Sequence, residues 1–371
     1  MHIADVTMFY TPVSGGVRTY LEAKHRGLAD YVKHSLVVPG PQRADTGFVH
    51  HVAAPLLPFG HGYRFPLRTK NWVDTLTRLH PDLIEAGDPY VPAWASLEAG
   101  RCLDVPVVGF YHSDFPRLVN SRVGHWADPA LDGYISRLYS QFDLVLAPSQ
   151  VMAEKLLRLG VEKVRLQPLG VDTTQFHPRH QDPLFKQTLG IADDVYLLIF
   201  VGRAAREKNI SLLLETMKLL GKNYHLLLAG PGMPRAVPEN VSVIHEYVPT
   251  DRIARYLASS DALIHAGDNE TFGLVVLEAM ASGIPVIGTR KGAVAELVVP
   301  GCGLLAETVS APALAEATRN LFANGYHGMG RLARKRIEQF YDWDQILVQL
   351  LRQYRKLIGY TERQIGESRR A

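Results

Sequence analysis

Short apolar runs alternate with longer stretches of helical periodicity along nearly the whole chain. That alternation predicts βαβ units and parallel sheets. In the first half the pattern predicts strands over 3–9, 35–38, 83–86, 105–111, 143–147 and 164–167. A helix is predicted over 17–28, and another runs to about 159 behind Ser149 as its cap. A run of turn formers from Pro168 to Pro178, followed by polar residues to Pro183, marks a domain boundary. The second half then restarts the pattern, with strands over 196–201, 225–229, 241–245, 262–265 and 284–289. A helix follows Val248-Pro249 and ends at about Ala258, and Lys291-Gly292-Ala293 opens a short helix containing Glu296. The tail over 311–360 reads as helical, with Trp343 and Tyr354 among apolar neighbours. The predicted fold class is α/β with parallel sheets in two domains, residues 1–172 and 173–353. A last helix of about 354–371 is expected to pack back on the first domain.

One stretch breaks the simple pattern. In Asp268-Asn269-Glu270-Thr271-Phe272-Gly273-Leu274-Val275-Val276-Leu277-Glu278-Ala279-Met280-Ala281-Ser282-Gly283, polar residues lead into an apolar run that holds one carboxylate. The run predicts a buried helix with Thr271 as cap and Gly283 as stop. A carboxylate at Glu278 is costly there unless something partners it. Glu270 stands just ahead of the helix, and the amides of Phe272, Gly273 and Leu274 lie near its positive end. This predicts a phosphate cradle flanked by two carboxylates that accept sugar hydroxyls. The plainer reading is a surface loop at Glu270 and a salt-bridged core carboxylate at Glu278.

Composition narrows the field. The 371 residues are enough for about two domains. A net charge of +3 gives no reason to expect nucleic acid. The first ten residues carry Asp5 and read as a strand, not as a secretory leader, and no apolar run is long enough to span a bilayer. Cys102 and Cys302 are expected to be free, buried thiols, which suits a cytoplasmic enzyme and gives no zinc site.

Polar residues at strand ends supply further candidates, since ligands of parallel sheets bind there. Gly15-Gly16 sits between the first strand and its helix and lets a ligand approach the backbone, but it lacks the Gly-x-Gly-x-x-Gly spacing of a dinucleotide loop. His112 and Asp114 follow the strand ending at Tyr111. Arg203 and Lys208, five apart at a strand end, can clamp a diphosphate, whereas Arg206 reads as surface scatter. The segment over 39–71 carries Arg64, Arg68 and Lys70 beside Phe65, Leu67 and Trp72. It reads as a solvated loop or as a contact for an anionic lipid surface. Asp342-Trp343-Asp344 has metal-like Asp-x-Asp spacing but falls in the helical tail, away from every predicted strand end. No metal is expected.

Taken in order, these residues resemble a retaining glycosyltransferase of family 4. Glu270 and Glu278 match its paired glutamates, with Phe272-Gly273-Leu274 between them. Gly202-Arg203 with Lys208 resembles its diphosphate-binding pair, Gly15-Gly16 its N-terminal glycine loop, and His112 its histidine at the donor sugar. Gly170-Val171-Asp172, Phe176 and Pro178 resemble its interdomain linker. The resemblance implies the GT-B fold, two Rossmann-like domains across a cleft that closes on its substrates. The first domain would serve the acceptor and the second the nucleotide sugar. It implies that Glu278 holds the donor ribose, that Glu270 accepts sugar hydroxyls, and that Arg203 and Lys208 offset charge on the leaving diphosphate. Val248, Thr271, Phe272, Gly273 and Leu274 would complete the donor site. The donor is expected to be GDP- or UDP-linked, with mannose or glucose as the sugar and retention of α configuration. The acceptor would be lipid-linked, a polysaccharide or a small molecule. No cofactor beyond the substrate is implied, and the place of work is the cytoplasm, with membrane contact at its inner face as an option. The alternatives are a sugar-nucleotide epimerase of the same shape and a non-catalytic nucleotide-sugar binding protein. A nicotinamide oxidoreductase is disfavoured by the missing glycine spacing and by the lack of a ribose acid about twenty residues beyond Gly16.

Overall fold

In the computed structural model, residues 1–11, 15–56, 63–117 and 128–359 are described. The chain forms two compact units, one from Met1–Pro168 with the chain from Asp344 on, the other from Leu169–Trp343. The first passage falls four residues ahead of the boundary expected at 172. The return falls at Asp344, ten residues ahead of the expected 354, because the last described helix, Trp343–Leu357, starts there as one piece. Residues 360–371 of the expected tail helix lie outside the described residues.

The first unit is built on β1 (His2–Val6), β2 (Lys33–Gly40), β3 (Ala44–Thr46), β4 (Val49–Ala53), β5 (Leu83–Ala86), β6 (Val107–Phe110), β7 (Leu144–Ala147) and β8 (Val164–Leu166). They make one sheet in the order β3-β4-β2-β1-β5-β6-β7-β8, parallel except where β3 meets β4. Two of these strands correct the sequence reading. The segment over 39–71 is not all loop, because Val49–Ala53 pairs with β2 and carries β3 on its outer edge. Arg64 donates to the Ala54 carbonyl at 2.7 Å and is half-buried, while Arg68 and Lys70 are exposed. Residues 57–62 of that segment lie outside the described residues. Continuous apolar strands such as Val107–Phe110 are buried along their whole length, as a helix-covered parallel sheet requires.

Helix Trp343–Leu357 presents Ile346, Leu347, Leu350, Leu351 and Tyr354 as buried residues, a stripe of helical period. Tyr354 enters a closed polar network beneath that stripe. Lys24 donates from Nζ to Asp5 at 2.7 Å and to the Tyr354 hydroxyl at 2.7 Å, and lies 3.1 Å from Glu85. Tyr20 and Tyr354 both donate to Glu85, and His34 meets Asp5 at 2.6 Å. Each charge is fully buried, so its hydrogen bonds are what make burial tolerable.

The second unit holds β9 (Tyr196–Val201), β10 (Tyr224–Ala229), β11 (Val241–Ile244), β12 (Ala262–Ile264), β13 (Val286–Thr289) and β14 (Gly303–Ala306). The order β11-β10-β9-β12-β13-β14 reverses direction between β9 and β12, the doubly wound arrangement. β14 is a strand that the sequence pattern does not announce. The first unit's chain arrives at Val171, which bridges in parallel to Asp342, and Trp343 N donates back to Val171 O at 3.3 Å. Asp342 also accepts from Thr173, so the Asp-x-Asp spacing noted above is tied into this crossing. Among the described residues no helix is long and apolar enough to cross a membrane. Cys302 is buried as expected, but Cys102 is exposed at the end of its helix.

Candidate active site

In an open α/β sheet, ligands bind outside the carboxyl ends of the strands where the order reverses. In the second unit that point lies between β9 and β12, and the charged candidates stand there. β9 runs into Gly202, Arg203 and, after a short turn, Lys208. β12 runs into His265 and the loop that carries Asn269 and Glu270.

Backbone contacts hold that loop from three sides. Asn209 Nδ2 donates to Ala266 O at 3.0 Å, Thr289 Oγ1 to Gly267 O at 3.0 Å, and Ala293 N to Glu270 O at 3.1 Å. Gly292, at φ 59°, passes so close that a Cβ there would stand 3.1 Å from Glu270 O. The positive φ and the close approach together favour glycine.

Glu270 is not a free surface residue. Its Oε1 accepts from Lys208 Nζ and from His265 Nε2, the latter at 3.1 Å. The sequence does not single out His265, and it is wholly buried. Gly267 N donates to His265 Nδ1 at 3.2 Å, which leaves the ring proton on Nε2. Burial, reinforced by the charge of Lys208, pushes His265 down to about 3, so the ring is neutral at physiological pH. Burial also lowers Lys208 to about 8, with Arg203 adding to the effect and Glu207 opposing it. Contact with the Glu270 carboxylate favours the charged amine, so Lys208 stays a cation up to pH 8 or above. The Oδ1 of Asn269 is buried without a hydrogen-bond partner among the described residues.

Arg203 is mostly exposed, with its guanidinium 3.8 Å from Glu207. The helix behind the loop is Leu274–Ala281. Its cap is Gly273 at φ 94°, not Thr271, because a cap in the left-handed region needs glycine rather than a hydroxyl side chain. Gly283 follows the helix at φ 79°, in the stop position expected of it. Phe272 is buried with its ring centroid 6.4 Å from that of Tyr341, and Val248 is buried ahead of helix Thr250–Ala258. The Glu278 carbonyl accepts from Ser282, but its carboxylate makes no hydrogen bond or ion pair among the described residues, so the salt bridge considered above is not made. Burial alone raises its carboxyl to about 7.

The remaining candidates belong to the first unit. His112 directly follows the residue after β6 and stacks on Phe110, with centroids 3.9 Å apart and planes at 10°. Burial, with the charge of Lys24, pushes it down to about 3. Asp114 is committed to Lys155 at 2.6 Å. Gly15 precedes helix Gly16–Gly27 at φ −86°, with open space where a Cβ would stand, so neither strain nor crowding demands glycine there. Residues 12–14 of its loop lie outside the described residues. At this unit's own reversal point, Asp88 follows β5 and accepts from Thr7 Oγ1 at 2.8 Å and Met8 N at 2.7 Å, fixing the start of the glycine loop.

Both units are doubly wound, an architecture that takes ligands at its reversal points, and the second carries an ammonium–carboxylate pair at that point. Sequence comparison makes this specific. Residues 14–175 match the family described as Glycosyltransferase Family 4, and residues 181–341 match Glycosyl transferases group 1. A GDP-mannose-dependent alpha-mannosyltransferase of Mycobacterium tuberculosis is 30% identical over 71% of this chain and 70% of its own. A GDP-mannose-dependent alpha-(1-6)-phosphatidylinositol dimannoside mannosyltransferase, also of Mycobacterium tuberculosis, is 28% identical over 95% of both chains. Coverage varies, and another curated relative is matched over only 46% of its length. The structure of sucrose-phosphate synthase from Thermosynechococcus elongatus superposes with a TM-score of 0.81 over 97% of this chain and 100% of its own, at 20% identity. The chain belongs to the family 4 glycosyltransferases and has the GT-B fold.

Proposed function

We propose that the protein transfers mannose from GDP-mannose to a hydroxyl of a lipid-linked, polysaccharide or small-molecule acceptor, with retention of α configuration and without a metal ion. The observation that carries this is Glu270, held at the reversal point by Lys208 and His265 through Oε1, with Oε2 left to accept hydrogen bonds from hydroxyls. The mannose donor follows the two mannosyltransferase relatives.

In this reading Lys208 and Arg203 stabilise charge growing on the departing diphosphate, the part a divalent ion plays elsewhere. Glu278 accepts from the donor ribose, and Glu270 from the sugar. His112, neutral at physiological pH, is an uncharged hydrogen-bonding partner. The bond from the anomeric carbon to the phosphate oxygen breaks, and the acceptor oxygen bonds to the same face. The acceptor's proton passes to the departing phosphate. A double displacement is disfavoured because it needs a free carboxylate beneath the reacting carbon, and Asp114 is tied to Lys155.

The test is NMR of the product formed from GDP-mannose with a cell extract as acceptor, in the presence of excess EDTA. Retention predicts an α-mannoside and full turnover in chelator. A β product, a glycosyl adduct on Glu270, or activity restored only by magnesium or manganese would overturn the corresponding part of the reading.

A further inference from the structure

We infer that His265 is a positioning residue for the transfer. Its Nε2–H holds Glu270 through Oε1 and is the donor that keeps the carboxylate in place once Lys208 turns to the donor diphosphate. The inference rests on the donor site proposed above.

The two donors on Oε1 differ in how freely they can leave. Lys208 is a point charge on a flexible stem, with three protons to distribute. Its Nζ comes from the turn after β9, and its side chain is 20% exposed. A diphosphate brings at least two negative charges, against one on Glu270, so the amine is drawn toward the ligand. His265 has no such freedom. It is 0% exposed, and its backbone N donates to Ile287 O at 2.8 Å, continuing the sheet. The next turn fixes the ring itself. Gly267 N donates to Nδ1, and a Cβ on Gly267 would stand 2.6 Å from the ring's Cε1. That contact sets the tautomer, so the only proton the ring carries points at Glu270.

Two consequences follow. With His265 on Oε1, the ionised Glu270 offers the sugar its Oε2, where no donor reaches it among the described residues, and the site on Oε1 that Lys208 vacates. The ring also stays neutral over the working pH range, so it holds the carboxylate without quenching its charge. Charge on the leaving group is then handled by Lys208, and the geometry of the sugar by His265 through Glu270.

The experiment separates these two contributions. Calorimetry with GDP and with GDP-mannose, and turnover with acceptor, are measured for the wild type, His265→Phe, His265→Gln and Lys208→Ala. Phenylalanine keeps the ring volume and removes the donor. Glutamine places an amide N–H close to where Nε2 stands. His265→Phe is expected to keep GDP affinity within about twofold, to weaken GDP-mannose by about tenfold, and to lower kcat by about 10- to 100-fold. His265→Gln should recover most of that loss, and Lys208→Ala should weaken GDP and GDP-mannose alike. The inference fails if His265→Phe matches the wild type with GDP-mannose. It fails equally if that variant loses GDP as strongly as GDP-mannose, or if glutamine rescues nothing, since both describe a merely structural side chain. A second readout needs no turnover. Nitrogen-15 NMR of the histidines in the wild type should show His265 protonated at Nε2 alone, with that proton shifted in Glu270→Gln, and an Nδ1–H tautomer would overturn the inference. A wild type that binds neither GDP nor any nucleotide sugar sinks the donor-site reading itself, whereas normal wild-type binding with an unaffected His265→Phe sinks this inference alone.

Discussion

Glu278 and Lys208 carry titrations in opposite senses, and each yields a prediction. Glu278 is raised to about 7 by burial, so near pH 7 it is partly protonated in the free protein. In its proposed place at the donor ribose, a diol donating to its carboxylate would favour the ionised form, so ligand binding would expel a proton. GDP affinity should therefore rise as pH increases from 6 to 8. Calorimetry in buffers of different ionisation enthalpy should show proton release near pH 7 that vanishes in Glu278→Gln. Between the ordinary glutamate range and 7 the folded state binds more protons than the unfolded, so this residue's contribution to stability falls as pH rises through that window. Lys208 is lowered, and its cation is lost on the alkaline side. The activity profile should fall at or above pH 8, and Lys208→Arg, whose charge persists, should move that limb upward by at least one pH unit. A limb unmoved by arginine would assign it to another group. The sequence reveals Lys208 and Glu270 because charged residues stand out at the ends of apolar runs, and Glu278 because it is a lone carboxylate inside one. It does not reveal His265, because a histidine closing Ala262-Leu263-Ile264 is indistinguishable from one more strand residue until Glu270 folds back over it.

At the scale of elements, strong local patterns are enough for most of the fold. The strand over 196–201 is an unbroken apolar run with the expected bounds, and the strand over 83–86 keeps its expected bounds although Glu85 interrupts it. β3 and β4 are hidden in the sequence because Ala-Asp-Thr and Val-His-His-Val-Ala are polar edge segments whose pairing comes from β2, not from their own pattern. The cap of helix Leu274–Ala281 differs from expectation for a related reason. Thr271 has the right chemistry, but the chain enters that helix through a left-handed residue, and conformation at Gly273 decides. Glycine conformation also bears on the site. Gly292→Ala would place a Cβ at φ 59° against the backbone of Glu270. It is expected to cost about 1–2 kcal/mol in stability and to lower turnover by about tenfold through displacement of Glu270. Urea unfolding and initial rates check both. A variant with unchanged rate would show that the loop tolerates the shift.

At the scale of the whole molecule, the turn-rich run after Pro168 signals the first passage between units, and nothing in the helical tail signals the return at Asp344. The tail's apolar stripe is complete from Ile346 onward, but only the fold shows that its partner is the N-terminal unit. Tyr354 makes that partnership specific through Lys24 and Glu85. Tyr354→Phe removes a hydroxyl from a buried charged network and should cost about 1–3 kcal/mol, read as a lower urea midpoint of the full chain. An unchanged midpoint would mean that the network closes without it.

If this family member transfers sugar through the proposed site at Lys208, Glu270 and Glu278, losing Glu270 must stop acceptor-dependent release of the nucleotide. The most direct measurement is release of free GDP from GDP-mannose by the full chain, with and without an acceptor extract, in the wild type and in Glu270→Ala. The account predicts release that depends on acceptor and falls by about 100-fold or more in the variant. Release that ignores the acceptor, or a Glu270→Ala rate equal to the wild type, would contradict it.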